Sequence, residues 1–157
     1  MGYVYKSYRK DEMAARLLET ALQLHANGGD GFSLILLARS AEEVLAGMIK
    51  GRRSGTPTTG PAERTAREET KAVLGTIHAA HGSGRTEKQI GDSMNRVFNS
   101  IKHHDSGKDA EEITLSLELE VEMALSGAIE NYARYFGNPS ESMVRFTQDR
   151  LRNCGAP

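Results

Sequence analysis

The sequence predicts an all-α protein, a helical bundle of about five or six helices. Three observations predict this class: apolar residues recur at three- and four-residue steps along most of the chain, glycine-rich stops separate these segments, and one strand-like segment has no partner. With 157 residues, 38% of them hydrophobic, the chain has the size of one domain and enough apolar side chains for one core. We therefore expect a single domain over residues 1–157.

The first two predicted helices carry the most regular apolar patterns. The first covers residues 10–25 and ends at the Asn27-Gly28-Gly29 stop. Asp30 is expected to cap the second, which continues its apolar pattern to Ile49 and should be the central helix of the bundle. Residues 51–61 contain three glycines and two prolines without apolar periodicity, which predicts a flexible loop.

The third and fourth predicted helices follow this loop. The third is expected over residues 62–80, with a polar first half. Its inward-facing residues are predicted to be Ala66, Val73, Leu74 and Ile77. The fourth is expected over residues 86–103, with Ile90, Met94, Val97, Phe98 and Ile101 on one apolar face.

The C-terminal third of the chain predicts two more helices. Residues 109–121 alternate like a strand, but an isolated strand is not stable, so we expect an extended entry and then a helix from about Leu117. Gly137 supplies the stop. A short last helix is expected over residues 140–151, with Ser140 as its cap.

Charge and cysteine content narrow the classes of function. The net charge of −1 gives no argument from bulk charge for nucleic-acid or membrane binding. Residues 1–108 nevertheless carry a surplus of +4 and residues 109–157 a deficit of −5, which makes self-association electrostatically plausible. The lone Cys154 fits a reducing compartment, and neither a signal peptide nor a spanning apolar run is seen. We expect a cytoplasmic protein without membrane contact.

A polar stripe on the fourth predicted helix is the best candidate for chemistry. Arg96, Asn99 and His103 follow one another at steps of three and four residues, and Asp92 extends the stripe by one turn. Arginine binds phosphate with paired hydrogen bonds, and histidine exchanges protons near neutral pH, which are the two needs of phosphodiester cleavage at a ribose. The alternative is a solvated helix face with cations at its C-terminal end.

Three segments resemble the HEPN superfamily of small helical bundles: residues 37–47, residues 96–105, and residues 128–132 with the short helix after them. The resemblance implies a four- or five-helix bundle that is often a homodimer. It also implies a metal-independent ribonuclease with an Arg-x4-6-His motif at the dimer interface. Arg96 and His103, with six residues between them, match that spacing.

The resemblance assigns roles to six residues and suggests partners. Arg96, His103 and Asn99 are the expected catalytic residues, and Lys102, His104 and Glu43 the expected substrate-binding residues. RNA is the implied substrate, in a bacterial toxin, defence or stress system. An antitoxin or a nucleotidyltransferase is a further implied partner.

Phe98 departs from the pattern of the resembled family. Close relatives are expected to carry arginine there, followed by Asn and then Lys-His. Either Arg96 acts from a position nearby, or the catalytic cation is absent. The alternative function is therefore a catalytically inactive helical dimer that acts as an interaction module.

Two further clusters of side chains are candidates for a functional role. One carboxylate of the Glu42-Glu43 pair is expected either to point into the bundle towards Arg39 or the arginine of the fourth helix, or to be solvated. Five potential metal ligands form two groups, namely His78 with His81, and His103, His104 and Asp105. No recognised metal signature is present, so neither a metal nor another cofactor is expected.

Overall fold

The computed structural model describes residues 5–55, 64–102 and 112–154. This part of the chain forms six helices and no strand, which confirms the all-α bundle. The helices are α1 (Lys10–Ala26), α2 (Gly31–Gly55), α3 (Ala66–Ala80), α4 (Glu87–Lys102), α5 (Leu117–Phe136) and α6 (Glu141–Cys154). Among these described helices, none combines the length and the apolar character needed to cross a lipid bilayer.

The core lies where α2 packs along α5 on one side and along α1 on the other. Its fully buried positions on α2 follow the helical steps of the sequence pattern, so the prediction that this is the central helix is confirmed. Those positions are Leu34, Ile35, Ala38, Ala41, Leu45 and Ile49. Val97 and Phe98 of α4 and Met143 of α6 close the same cluster from its edges.

Three helices begin or end at the capping residues that the sequence predicts. Asp30 Oδ2 accepts a hydrogen bond of 2.8 Å from the backbone N–H of Ser33, and Ser140 Oγ accepts one of 3.4 Å from Met143. Gly137 ends α5 with a φ of +88°, a conformation that other residues rarely adopt. Residues 112–116 precede α5 without regular structure, as predicted.

The prediction of a loop over residues 51–61 is wrong for its first five residues, because α2 continues to Gly55. Residues 56–61 lie outside the described part of the chain. The extension has a tertiary cause: Arg52 Nη1 donates a hydrogen bond of 2.9 Å to the Tyr135 carbonyl, and its guanidinium lies 3.6 Å from the centre of the Tyr135 ring. These contacts with α5 offset the poor helix propensity of the glycines.

The prediction for the inward face of α3 is also wrong in part. Val73 and Ile77 are about half exposed, and the helix begins at Ala66, behind a Thr65–Glu68 capping box, rather than at residue 62. Arg67 faces inward instead, because it forms an ion pair with Glu42 on α2. Positions 67 and 73 differ by about 240° around a helix of 3.6 residues per turn, so this pairing turns Val73 outward.

Candidate functional site

Two of the predicted catalytic residues lie one turn apart on the exposed face of α4. Arg96 and Asn99 are exposed, while Val97 and Phe98 between them are each 3% exposed and belong to the core. Within the described residues, neither Arg96 nor Asn99 makes a side-chain hydrogen bond or ion pair. Both side chains are therefore available to a ligand from solvent.

The predicted catalytic His103 and the predicted substrate-binding His104 lie outside the described residues. Helix α4 ends at Lys102, one residue before them.

Lys102 and Glu43, both predicted to bind substrate, are brought together by the packing of α4 against α2. Lys102 Nζ lies 4.0 Å from Glu43 Oε2, and each side chain is about half exposed. Such a solvated pair contributes at most about 1 kcal/mol to folding. Lys102 therefore remains free to exchange Glu43 for an anionic ligand.

Phe98 occupies a core position, although the resembled family is expected to carry arginine there. Its ring packs in the same cluster as Leu125 and Val121, and Lys102 Nζ lies 5.2 Å from the ring centre on the solvent side. An arginine at this position would place a charge among apolar side chains. A cation that acts from α4 must therefore come from an exposed position, such as Arg96 on the opposite face or Lys102 at the end of the helix.

The buried carboxylate of Glu42 on α2 binds arginines of α2 and α3. Glu42 is 3% exposed, and its Oε2 accepts hydrogen bonds from Arg39 Nη1 at 2.7 Å and from Arg67 Nη2 at 3.0 Å. Its Oε1 accepts a third, of 3.2 Å, from Arg67 Nε. Of the two alternatives for the Glu42-Glu43 pair, Glu42 takes the inward one, towards Arg39, whereas Glu43 takes the solvated one.

Arg67 and Asn131 were not singled out by the sequence, and they complete this carboxylate network. Arg67 Nη1 also donates to Asn95 Oδ1 on α4, which links α3 to α4. Asn131 is fully buried; its Nδ2 donates to the Glu42 carbonyl at 3.3 Å and its Oδ1 accepts from the Ala66 N–H at 2.8 Å. One feature of the sequence could have identified Arg67. It lies seven residues before Leu74, which is predicted to face inward, and residues seven apart lie on the same side of a helix.

Gly127 on α5 makes room for the carboxylate network. A Cβ at this position would lie 3.1 Å from Glu42 Oε1 and 3.2 Å from its Cδ. Such a contact is tighter than ordinary packing, so α5 approaches α2 closely only because position 127 has no side chain. The network is therefore built from six residues of four helices, namely Arg39, Glu42, Arg67, Asn95, Gly127 and Asn131.

Metal ligands do not gather in the part of the chain that the structure describes, where no group of three His, Cys, Asp or Glu side chains could hold an ion. His78 Nδ1 shares a hydrogen bond of 2.7 Å with Ser83 Oγ, and His81 is the C-cap residue of α3. The other ligands considered, His103, His104 and Asp105, lie outside the described residues.

Comparison with known proteins finds no match for this chain among protein families, curated proteins or solved structures. The exposed α4 face and the buried carboxylate network are therefore the features from which a function can be inferred.

Proposed function

We propose that this protein is a HEPN-like, RNA-acting protein that binds the RNA backbone on the exposed face of α4 and cleaves it without a metal. The observation that carries the proposal is the pair of exposed side chains Arg96 and Asn99, one turn apart and without a protein partner among the described residues. An exposed guanidinium without a protein partner can donate all of its N–H groups to a phosphate. Lys102, whose one ion pair among the described residues is the solvated contact with Glu43, adds a second cation at the end of the helix.

The proposed reaction is transfer of the phosphoryl group to the neighbouring ribose oxygen. His103 takes the proton of the 2′-hydroxyl, the 2′ oxygen attacks phosphorus, and the bond from phosphorus to the 5′ oxygen breaks. The leaving oxygen receives a proton from the imidazolium of a second copy, giving a 2′,3′-cyclic phosphate and a 5′-hydroxyl. Arg96 stabilises the charge that grows on the phosphoryl oxygens, Asn99 orients the phosphate, and Lys102 and His104 hold the flanking backbone.

The proposed active form is a homodimer. A two-fold axis beside α4 would bring the two stripes of Arg96 and Asn99 together, because an isologous contact uses the same surface of both copies. The basic N-terminal part and the acidic C-terminal part of the sequence supply complementary charge for such a contact.

The test is incubation of the purified chain with a labelled structured RNA in the presence of a chelator, beside Arg96→Ala and His103→Ala. Arg145→Ala is the matched control, since Arg145 is an exposed arginine of α6 that pairs only with Glu141 among the described residues. We expect cleavage by the parent and by Arg145→Ala, with loss of about a hundredfold or more in the other two variants. Full activity of folded Arg96→Ala or His103→Ala would contradict the proposed mechanism.

A second candidate function, the catalytically inactive interaction module, is favoured by two observations. Phe98 is a core residue rather than a surface cation, and Val73 and Ile77 expose an apolar pair one turn apart on α3. On this alternative the chain dimerises through α3 and does not cleave RNA. Sedimentation equilibrium of the parent and of the Val73→Ser/Ile77→Ser variant tests it: a dimer that dissociates in the variant supports the module, and a monomeric parent contradicts it.

A further inference from the structure

Aromatic side chains collect at one end of the bundle. The short connection of residues 27–30 makes the packed helices α1 and α2 antiparallel, so the start of α1 lies beside the end of α2, where Arg52 contacts Tyr135 at the end of α5. Most of the aromatic residues that the structure describes lie here, namely Tyr5, Tyr8, Tyr132, Tyr135 and Phe136. None of them is fully buried, and Tyr8 is 59% exposed. Such a concentration of exposed rings is typical of a binding surface.

The rings at the end of α5 hold one another in place. The Arg52 guanidinium lies 3.6 Å from the centre of the Tyr135 ring. Phe136 packs edge-on against Tyr135, with ring centres 4.8 Å apart, and at a tilt against Tyr132, with ring centres 4.5 Å apart. Phe136 is nevertheless 40% exposed, so part of its ring faces solvent. A planar group of a ligand can therefore stack on Phe136 at little cost in side-chain entropy.

Residues 5–9 bring further rings and cations to this end of the bundle, and each of these residues is exposed. The pKa of Arg9 is raised chiefly by its hydrogen bonds to Asp11, and to a smaller extent by the phenol of Tyr135, which lies nearby. Tyr8 directly precedes Arg9, so the two Cα atoms are about 3.8 Å apart. We use the name aromatic–basic surface for Lys6, Tyr8, Arg9, Arg52, Tyr135 and Phe136.

The aromatic–basic surface carries an excess of positive charge. Four cations lie in it or directly beside it, namely Lys6, Arg9, Lys10 and Arg52. Asp11 and Glu12 both pair with Arg9, so two positive charges remain in excess. A neighbouring group of charges is balanced, with three cations against three carboxylates, namely Lys50, Arg64 and Arg134 against Glu68, Glu69 and Glu130. The surface is therefore complementary to a ligand that carries several negative charges.

We infer that the aromatic–basic surface binds single-stranded RNA, with bases stacked on Tyr8 and Phe136 and phosphates beside Lys6, Arg9 and Arg52. Rings and cations on one surface suit a single strand, because every nucleotide offers a base to stack and a phosphate to pair. A lipid surface is disfavoured, since residues 5–12 contain no aliphatic side chain to insert. The choice of RNA rests on the proposed function, but this surface is separate from the exposed face of α4.

The test is fluorescence anisotropy of the full chain with a labelled single strand of about 12 nucleotides, 2′-O-methylated so that it is not cleaved. Tyr8→Leu and Phe136→Leu should each weaken binding by about fivefold or more, because each removes a ring on which a base stacks. Tyr8→Phe keeps the ring and should bind as the parent does. Phe32→Leu is the matched control, since Phe32 is 43% exposed and lies in the first turn of α2, at the opposite end of that helix.

Two further measurements separate stacking from charge. Lys6→Gln should reduce the slope of log K against log salt concentration by about 0.7, the value for one phosphate contact with a single strand. A duplex of the same length and inorganic polyphosphate should both bind more weakly than the single strand, because neither offers an unpaired base. Lys6 and Tyr8 both precede α1, so their substitution leaves the packing of the helices intact.

Three results would overturn the inference: a parent that does not bind the single strand, unchanged affinity in both Tyr8→Leu and Phe136→Leu, or polyphosphate that binds as tightly as the single strand. The proposed function stands in each case if the parent still cleaves structured RNA. A parent that binds through Tyr8 and Phe136 but cleaves no RNA supports this surface and contradicts the proposed cleavage. Tighter binding to vesicles of anionic phospholipid than to the single strand would assign the surface to a membrane instead.

Discussion

Replacing Glu42 by glutamine tests how far the buried carboxylate network supports the fold. The side chain keeps its shape, but the negative charge that faces Arg39 and Arg67 is lost, and these side chains are only 5% and 17% exposed. Removal of one member of a buried ion pair costs about 3–5 kcal/mol, because the remaining charge is left uncompensated. That loss is a large fraction of the roughly 5–15 kcal/mol by which a domain is stable.

The assay is urea unfolding followed by far-UV circular dichroism, with Glu43→Gln as the matched control. Glu43 is the next residue of the same helix and is about half exposed, and its one ion pair within the described residues is the solvated contact with Lys102. We expect Glu43→Gln to change the free energy of unfolding by less than about 1 kcal/mol, and Glu42→Gln to lower it by about 3–5 kcal/mol. Equal stability of the two variants would refute the reasoning, since burial would then contribute nothing.

Three more predictions concern local features of the fold. The paired hydrogen bonds from Arg9 hold the pKa of Asp11 below its usual 3.8, so the stability that this pair contributes is present at neutral pH and is lost as the pH falls through the depressed pKa. In Arg9→Gln, an NMR titration should show the pKa of Asp11 moved up towards 3.8; an unchanged value would contradict the pairing. Asp30→Ala removes the cap of α2 and should cost about 1 kcal/mol in urea unfolding, while Asp30→Asn should cost far less. Gly137→Ala should cost more than about 1 kcal/mol because alanine resists a positive φ, and a stabilised variant would show that the stop of α5 needs no glycine.

Predictions that depended on neighbouring residues were confirmed. The cap of α2 by Asp30, the stop of α5 at Gly137 and the cap of α6 by Ser140 each involve residues within four positions of one another. The exposure of Arg96 and Asn99 follows from the same local rule, since the apolar residues of α4 define its inner face.

Two predictions failed because of packing between helices. The rotation of α3 was assigned from Val73 and Ile77, but the ion pair of Arg67 with Glu42, 25 positions away, turned the helix. The sequence pattern ends α2 before residue 51, but Arg52 contacts the Tyr135 carbonyl, 83 positions away, and the helix continues to Gly55.

The amino-acid sequence by itself therefore specifies the all-α class, the helices with the caps named above, and the polar stripe on α4. Each of these features arises from side chains about one helical turn apart. Only the packed bundle decides that Arg39 and Arg67 share Glu42 and that Gly127 admits the carboxylate. A buried charge is stable only where its partners converge, and that convergence is a property of the three-dimensional packing of helices distant in sequence.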